Sequence, residues 1–325
     1  MTTRRIALQG LAAGLSSAWL GQSFAQDDRS PITILVGAAS SMDATARLIA
    51  EQLRETLNRP AVVISRLGAG QRLAIGEAKR AAPDGRTLVF ATSGPFTVYP
   101  HIYTKLDYDP VADFTPIAGI SYFDVAIATG PMTGATDLRQ LMDWQRARRT
   151  GDAVFGSAPG NGSLSHFVGI STSIATKVPM THVPYKDSGV GIVDLAAGRL
   201  PMMITGLQPM IELHKAGKIK LLAVSGDVRS PLVPEVPTLK EAGVNVVSST
   251  YTGLFGPARM SPELVKRLHD AVLPMLSAAA TREKLTQLTM TPWPVNGQQM
   301  AATMVEERKR FEGLVNAIGY QKEDA

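Results

Sequence analysis

The sequence contains no cysteine, and this absence excludes several kinds of structure and chemistry. Without thiols the chain forms no disulfide bonds and no metal site built on thiolates. It also has no cysteine to carry a lipid, so we expect no lipoprotein anchor. Stability must therefore come from side-chain packing alone.

Motifs for catalysis and for tightly bound cofactors are missing as well. The five histidines are scattered, with no paired-histidine helix motif for zinc, and no EF-hand loop occurs. Residues 68–73 follow a predicted strand but lack the third glycine of a dinucleotide fingerprint. Residues 162–165 read Gly-Ser-Leu-Ser, which is not the Gly-x-Ser-x-Gly elbow of serine hydrolases. We therefore predict a binding protein with no cofactor and no metal rather than an enzyme.

Charge of one sign is not in strong excess either. The chain has 33 lysines and arginines against 28 acidic residues, a net charge of +5. If Arg4 and Arg5 leave with a leader peptide, 31 basic residues remain and the net charge is +3. This mild excess suits a small anionic ligand but is too small to predict nucleic-acid binding. The mature chain, about 300 residues, suits two compact domains better than one.

The N-terminal segment, residues 1–25, has the three parts of a secretory signal peptide. Arg4 and Arg5 precede an uncharged apolar stretch, residues 6–20, and a small-x-small cleavage signal ends at Ala25. A run of about 15 apolar residues is too short to span a bilayer. A buried N-terminal helix is the alternative, but such a helix would show a polar stripe, and none is visible. We predict export to the periplasm; the paired arginines indicate the Tat route, and the loose match after them leaves the Sec route open.

Apolar runs separated by turn signals predict strands and helices in alternation. The predicted strands are residues 32–36, 61–64, 87–90, 125–128, 154–156, 180–183, 202–204, 221–224 and 251–255. The predicted helices are residues 43–57, 73–82, 138–148, 165–176, 189–197, 262–278 and 297–317. This order favours an α/β protein with parallel strands and helices on both faces of each sheet.

The same order predicts two α/β lobes rather than one continuous domain. The chain crosses between them near residues 119–125 and returns near residues 226–250. We place lobe 1 at residues 26–122 and 228–325 and lobe 2 at residues 123–227. Two lobes joined by two crossings form a hinge with a ligand cleft. Ligands bind such sheets beyond the carboxyl ends of the strands.

Two loops of lobe 1 are candidate ligand contacts because each joins a strand to a helix and is rich in small polar residues. The candidates are Ser40, Ser41 and Asp43 in the first loop and Thr92, Ser93 and Gly94 after the third strand. Amides at the start of a helix, helped by the helix dipole, could bind an anionic oxygen. The same residue types are ordinary helix caps and turn formers, so a structural role alone is the alternative.

The loop that opens the helix at residues 165–176 is the strongest candidate in lobe 2. The candidates are Ser157, Asn161, Gly162, Ser163 and His166, with Thr205 from the neighbouring strand. So many backbone and side-chain donors at one helix start suit a carboxylate. The alternative for His166 is a hydrogen bond to a neighbouring loop.

Eight stretches of the chain together resemble one known family. They are residues 43–48, 66–70, 82–88, 108–114, 160–163 with His166, 182–186, 222–225 with 236–238 and 241–243, and 253–255. On these residues the chain resembles the Bug receptors, the periplasmic solute-binding proteins of tripartite tricarboxylate transporters. The likeness covers essentially all of residues 31–320.

This resemblance implies the type II periplasmic-binding-protein fold, with two lobes that close on a small organic acid. It also implies that Asn161, Gly162, Ser163 and His166 line the site, with ordered waters between loop and carboxylate. Transient contacts with membrane transporter subunits and a monomeric state are expected with it. Two alternatives stay open: a ligand sensor for a membrane signalling partner, and a secreted hydrolase that uses Ser163 with His166.

Two departures from the family pattern affect the predicted site. The family's first loop usually reads Pro-Gly-Gly-x-x-Asp, whereas this chain has Ala-Ser-Ser-Met at residues 39–42 before Asp43. Serine in place of glycine restricts the backbone and adds hydroxyl groups. Residues 204–207 read Ile-Thr-Gly-Leu where acidic and Asn residues are common in the family. Fewer acceptors in the cleft would suit a more anionic or less polar solute.

Overall fold

The computed structural model describes residues 30–38, 41–149, 151–317 and 319–324. The predicted leader and the candidate residue Ser40 lie outside the described residues. Within these ranges, no helix combines the length and apolar character that crossing a membrane requires.

The described residues form a mixed α/β structure. The strands are β1 (Ile32–Val36), β2 (Ala61–Ser65), β3 (Thr87–Thr92), β4 (Phe114–Thr129), β5 (Val154–Ser157), β6 (Thr181–Pro184), β7 (Met203–Gly206), β8 (Lys220–Val224), β9 (Ser249–Pro257) and β10 (Thr291–Asn296). The helices are α1 (Ser41–Leu57), α2 (Arg72–Lys79), α3 (Gly94–Thr97), α4 (Tyr99–Ile102), α5 (Leu138–Arg146), α6 (Leu164–Thr176), α7 (Ser188–Ala196), α8 (Ile211–Lys215), α9 (Pro262–Val272), α10 (Ala279–Gln287) and α11 (Gly297–Ala317). Short 3-10 turns lie at Ala69–Gln71, Gln208–Met210 and Leu273–Ser277.

The long strand β4 joins two groups of strands. In the first group β2, β1 and β3 are parallel, and β9 lies antiparallel between β3 and the first part of β4. β10 also pairs with the first part of β4. In the second group β6, β5 and β7 are parallel, and β7 and β8 pair with the last part of β4. The two groups correspond to lobe 1 and lobe 2, so the prediction of a two-lobe α/β fold is confirmed.

The pairing register makes the carboxyl ends of the two groups face each other. Thr92, at the end of β3, lies opposite Thr252, which in turn lies opposite Ser121 of β4. Gly206, at the end of β7, lies opposite Val125 of β4. Ser121 and Val125 are four residues apart, or about 13 Å along an extended strand. The loops that follow β3 and β7 therefore point towards one another across the gap between the two lobes.

Each lobe has its own apolar core, and a smaller cluster links the lobes. In lobe 1, Ile34 and Phe90 are fully buried; in lobe 2, Phe155 and Ile204 are almost fully buried. Full burial of such a side chain contributes roughly 1.5–3 kcal/mol. The linking cluster consists of Val98, Ile102, Phe167, Phe311 and Val315, of which Phe167 comes from α6 and the others come from α3–α4 and α11.

Three parts of the predicted secondary structure were wrong. Residues 262–278 are not one helix: α9 ends at Val272 and a 3-10 turn follows, because Pro274 cannot continue the helical hydrogen-bond pattern. The strand predicted at residues 125–128 begins at Phe114, and Pro116 lies where the register shifts, so it disturbs the ladder little. α3, α4, α8, α10 and β10 were not predicted at all.

Candidate functional site

Asp43 stands at the lobe 1 end of the site, in the first turn of α1. Its carboxylate accepts hydrogen bonds from Arg47 Nε at 2.8 Å and from Ser65 Oγ at 3.0 Å. The hydrogen bond from Arg47 is the largest cause that holds the pKa of Asp43 below its usual value. The carboxylate is therefore charged and joins the start of α1 to the end of β2. Ser41, the first residue of α1, is half-buried.

The three candidates after β3 have different surroundings. Ser93 is buried, and its hydroxyl shares a hydrogen bond of 2.9 Å with Thr250 Oγ1. Thr92 and Gly94 are half-buried, and a Cβ added at Gly94 would meet open space. Thr92 is held by the side-chain amide of Gln71, a residue that the sequence patterns did not single out as part of the site.

The lobe 2 loop between β5 and α6 uses its polar groups to fix its own shape. Ser163 caps α6: its Oγ accepts from the His166 backbone N–H at 3.2 Å and donates to the Gly160 carbonyl at 2.8 Å. Ser157 is fully buried, with its Oγ 2.7 Å from His182 Nε2. Ser163 nevertheless stays half-buried at the start of a 13-residue helix, where the dipole favours an anion.

His166 is a buried, uncharged acceptor. Its Nδ1 accepts from the Gly162 backbone N–H at 3.1 Å, so the ring proton lies on Nε2. The ring stacks on that of His182, with centroids 3.9 Å apart. Burial, and then the neighbouring His182, lowers the pKa of His166 to about 3; burial lowers that of His182 to about 4. The hydrogen bond of His166 therefore lies within its own loop and not with a neighbouring loop.

The hydrogen bonds of Ser163 and His166 do not form a catalytic pair. The Ser163 hydroxyl donates to a carbonyl, and the imidazole accepts from a backbone amide. A serine nucleophile needs a base that accepts its own proton and a third group that orients the base. The geometry of this loop therefore gives no support to a hydrolase.

The same loop also contacts lobe 1. Gly162 is buried with φ 70°, and a Cβ there would overlap Cδ1 of Ile102 in α4. Asn161 is exposed, and its Nδ2 donates to Oε1 of Glu323 in the C-terminal segment at 3.1 Å. The loop between β5 and α6 of lobe 2 therefore contacts α4 and the C-terminal segment of lobe 1.

Thr205, the remaining candidate, lies on β7. It is buried, and its Oγ1 shares a hydrogen bond of 2.7 Å with Oγ of Ser188, the first residue of α7. Besides Gln71, the sequence patterns missed Ser188 and did not single out His182. His182 falls within one of the family-like stretches, which was the signal available for it.

The described residues thus gather two sets of polar groups at the facing strand ends. Ser41, Asp43, Thr92, Ser93 and Gly94 belong to the lobe 1 set, and Ser157, Asn161, Gly162, Ser163, His166 and Thr205 to the lobe 2 set. Nowhere in the described ranges do three or more His, Asp or Glu side chains cluster in a way that could hold a metal ion.

Comparison with known proteins identifies relatives of the whole chain. A family model described as the tripartite tricarboxylate transporter family receptor matches residues 45–320. Protein BugT of Bordetella pertussis is 27% identical over 293 residues, which cover 89% of each chain. MatC from Rhodopseudomonas palustris, solved with bound malate, is 30% identical and superposes with a TM-score of 0.75 over 88% of this chain and 98% of its own. Rpa4515 from R. palustris, solved with adipate, is 28% identical with a TM-score of 0.81 over 90% and 99%.

Proposed function

Because the chain belongs to the tripartite tricarboxylate transporter receptor family, we propose that it is a periplasmic receptor that binds a small organic carboxylate between its two lobes. The R. palustris relatives that hold malate and adipate support this choice of ligand class, since both molecules are dicarboxylates. We also propose lobe boundaries at residues 122/123 and 227/228.

The facing strand ends carry the proposal for this chain. The ends of β3 and β7 point towards each other, and their register positions on β4 are four residues, or about 13 Å, apart along that strand. A linear dicarboxylate has a carboxylate at each end and can therefore contact both lobes at once. A ligand that contacts both lobes favours the closed arrangement, because some of its contacts exist only there.

Among the candidates we propose different roles according to exposure. Ser41, Thr92, Gly94, Asn161 and Ser163, which are half-buried or exposed, contact the ligand. Ser93, Ser157, Gly162, His166 and Thr205 are buried and hold the loops in shape, and Asp43 secures the start of α1. Ser40 directly precedes Ser41 in the sequence, and we propose it with the residues that contact the ligand.

Calorimetry with adipate and malate tests this proposal. Ser163→Ala and Asn161→Ala should each weaken binding, by at most roughly 1.5–3 kcal/mol, the range for a hydrogen bond to a charged group, because each side chain must exchange its bond to Gly160 or Glu323 for one to the ligand. Ser261→Ala is a matched control, because Ser261 caps α9 as Ser163 caps α6. Both serine variants should lose about 1 kcal/mol of stability from the missing cap, but the Ser261 variant should keep its affinity. Unchanged affinity in both Ser163→Ala and Asn161→Ala would show that the site lies elsewhere.

We propose that the receptor reaches the periplasm through cleavage after Ala25 and then delivers its solute to membrane transporter subunits. The paired arginines suggest Tat export. Replacing Arg4 and Arg5 together with lysine should leave the precursor in the cytoplasm. Periplasmic recovery of that variant at the wild-type level would instead assign export to Sec.

A further inference from the structure

Gln71 holds a backbone conformation that usually belongs to glycine. It lies at the end of the 3-10 turn Ala69–Gln71 with φ 74° and ψ −4°, in the left-handed region. A side chain is disfavoured there by the clash of its Cβ with the backbone. Glycine would remove that strain but would also remove every contact made by the Gln71 side chain.

Those contacts join the ends of two lobe 1 strands. Gln71 packs against Gly37, the residue after β1: a Cβ on Gly37 would lie 2.6 Å from both Cα and Cβ of Gln71. Its amide pairs twice with Thr92, the last residue of β3. Nε2 donates to Thr92 Oγ1 at 2.6 Å, and Oε1 accepts from the Thr92 backbone N–H at 3.2 Å. Gln71 therefore fixes Thr92 relative to the loop after β1.

The backbone of Thr92 decides which way the amide faces. A backbone N–H can only donate, so the amide oxygen of Gln71 must face it. The amide nitrogen then faces the Thr92 hydroxyl, and because that nitrogen can only donate, the hydroxyl oxygen must accept. The hydroxyl proton is thereby directed away from Gln71. Thr92 is half-buried at the lobe 1 edge of the gap, so this proton is available to an oxygen of a ligand.

We infer that Gln71 is a positioning residue that makes Thr92 a dedicated hydrogen-bond donor and so favours anionic over neutral solutes. The inference rests on the proposed function, because it assigns a task within the same site. A free threonine hydroxyl can donate or accept with equal ease. With Gln71 in place, Thr92 is predisposed to donate to a carboxylate oxygen, and a hydrogen bond to an ionised acceptor is stronger than one to a neutral acceptor.

Two substitutions at Gln71 act on the hydroxyl in different ways. In Gln71→Glu one carboxylate oxygen accepts the Thr92 N–H and the other accepts the Thr92 hydroxyl proton, so the hydroxyl turns inward. In Gln71→Gly the amide is lost while the left-handed backbone becomes unstrained. Gln71→Glu should weaken binding of adipate or malate by roughly 10- to 100-fold, because the hydroxyl no longer donates to the ligand. Gln71→Gly should weaken it less, because the free hydroxyl can still turn towards the ligand. Binding of adipamide, the uncharged diamide of adipate, should change much less.

Stability separates this positioning role from a merely structural one. Gln71→Gly should unfold at the same temperature as the wild type or higher, although it binds the acids more weakly. Lys177→Gly is the matched control: Lys177 also has a left-handed backbone (φ 55°), but it caps the far end of α6. This variant should gain the same relief of strain and keep its affinity.

The partner residue Thr92 supplies the last set of variants. Thr92→Ser keeps the hydroxyl and should bind normally, whereas Thr92→Val should lose as much affinity as Gln71→Glu. Combining Thr92→Val with Gln71→Glu should cost no further affinity, because both remove the same hydrogen bond. If the affinity losses of the two combined substitutions are fully additive, the inference is wrong. It is also wrong if the affinity for acids stays at the wild-type level in both Gln71→Gly and Gln71→Glu. Neither result would contradict the proposed function. A wild type that binds neither adipate, malate nor any other small acid would overturn the proposed function, and the inference with it.

Discussion

The contact between Gly162 and Ile102 offers a quantitative test of how the lobes meet. Gly162 has φ 70° and is buried in the lobe 2 loop, facing α4 of lobe 1. Gly162→Ala therefore has two separate effects. It places a side chain on a left-handed backbone, and it drives the new Cβ into Cδ1 of Ile102.

The two effects have different sizes. The left-handed backbone costs a non-glycine residue roughly 1–2 kcal/mol. Overpacking of a buried site costs roughly 1–3 kcal/mol, and the lower end applies because Cδ1 is the tip of a rotatable side chain. We expect Gly162→Ala to lower the free energy of unfolding by about 2–3 kcal/mol in total.

Urea unfolding of a small set of variants separates the two contributions. Gly134 has a similar backbone (φ 63°), but a Cβ there would meet nothing within 4 Å, so Gly134→Ala measures the backbone cost alone. Ile102→Val removes only Cδ1, at a cost of roughly 0.5–1.5 kcal/mol. In that background Gly162→Ala should cost no more than Gly134→Ala. Equal costs for the two alanine variants in the wild-type background would refute the contact.

Two pH predictions have opposite signs. Burial is the main cause that raises the pKa of Asp124 above its usual 3.8, against a hydrogen bond from Ser249. Its charged form is therefore unfavourable in the folded state, and Asp124→Asn should raise the free energy of unfolding at pH 7, a gain that disappears as the pH falls towards 3.8. His166 and His182 have pKa values lowered to about 3 and 4 from 6.5, so the stability of the neutral pair is complete above pH 6.5 and lost on acidification. Each histidine can make the free energy of unfolding change by up to about 1.4 kcal/mol per pH unit. His182→Gln should therefore flatten the pH dependence of the free energy of unfolding between pH 6.5 and 4, as measured with urea. An unchanged pH dependence would contradict the burial of this pair.

Local sequence patterns predicted most of the α/β order because the elements that they describe are locally determined. The run at residues 32–36 is apolar and β-branched, and it became β1, a buried strand that pairs with β2 on one side and β3 on the other. α11 has the predicted bounds. β10 is a different case: it contains two prolines and a tryptophan, and its partner in the sheet lies about 170 residues earlier in the chain. No local period marks a strand whose existence depends on such a distant partner.

The role of Gln71 could not be predicted for a related reason. In the sequence it is one polar residue in a glycine-rich turn, and glutamine at such a place is usually a solvated surface residue. What gives it a role is its left-handed backbone and the arrival of Thr92, 21 residues later in the chain, at both ends of its amide. The turn and the strand end meet only after β1, β2 and β3 have paired.

Counting donors in the loops pointed to candidate segments but could not say which donors remain available. Ser93 pairs with Thr250, 157 residues away, and Ser157 pairs with His182, 25 residues away. A hydroxyl that already has a partner must give up that bond to bind a ligand, so the exchange yields little net free energy. A half-buried donor such as Thr92 gains a bond to the carboxylate at the cost of a bond to water, and in the closed site the new bond is better shielded from solvent. Affinity should therefore depend on the donors that folding has left free at the edge of the gap, and the buried donors should matter mainly through the shape that they give to the loops.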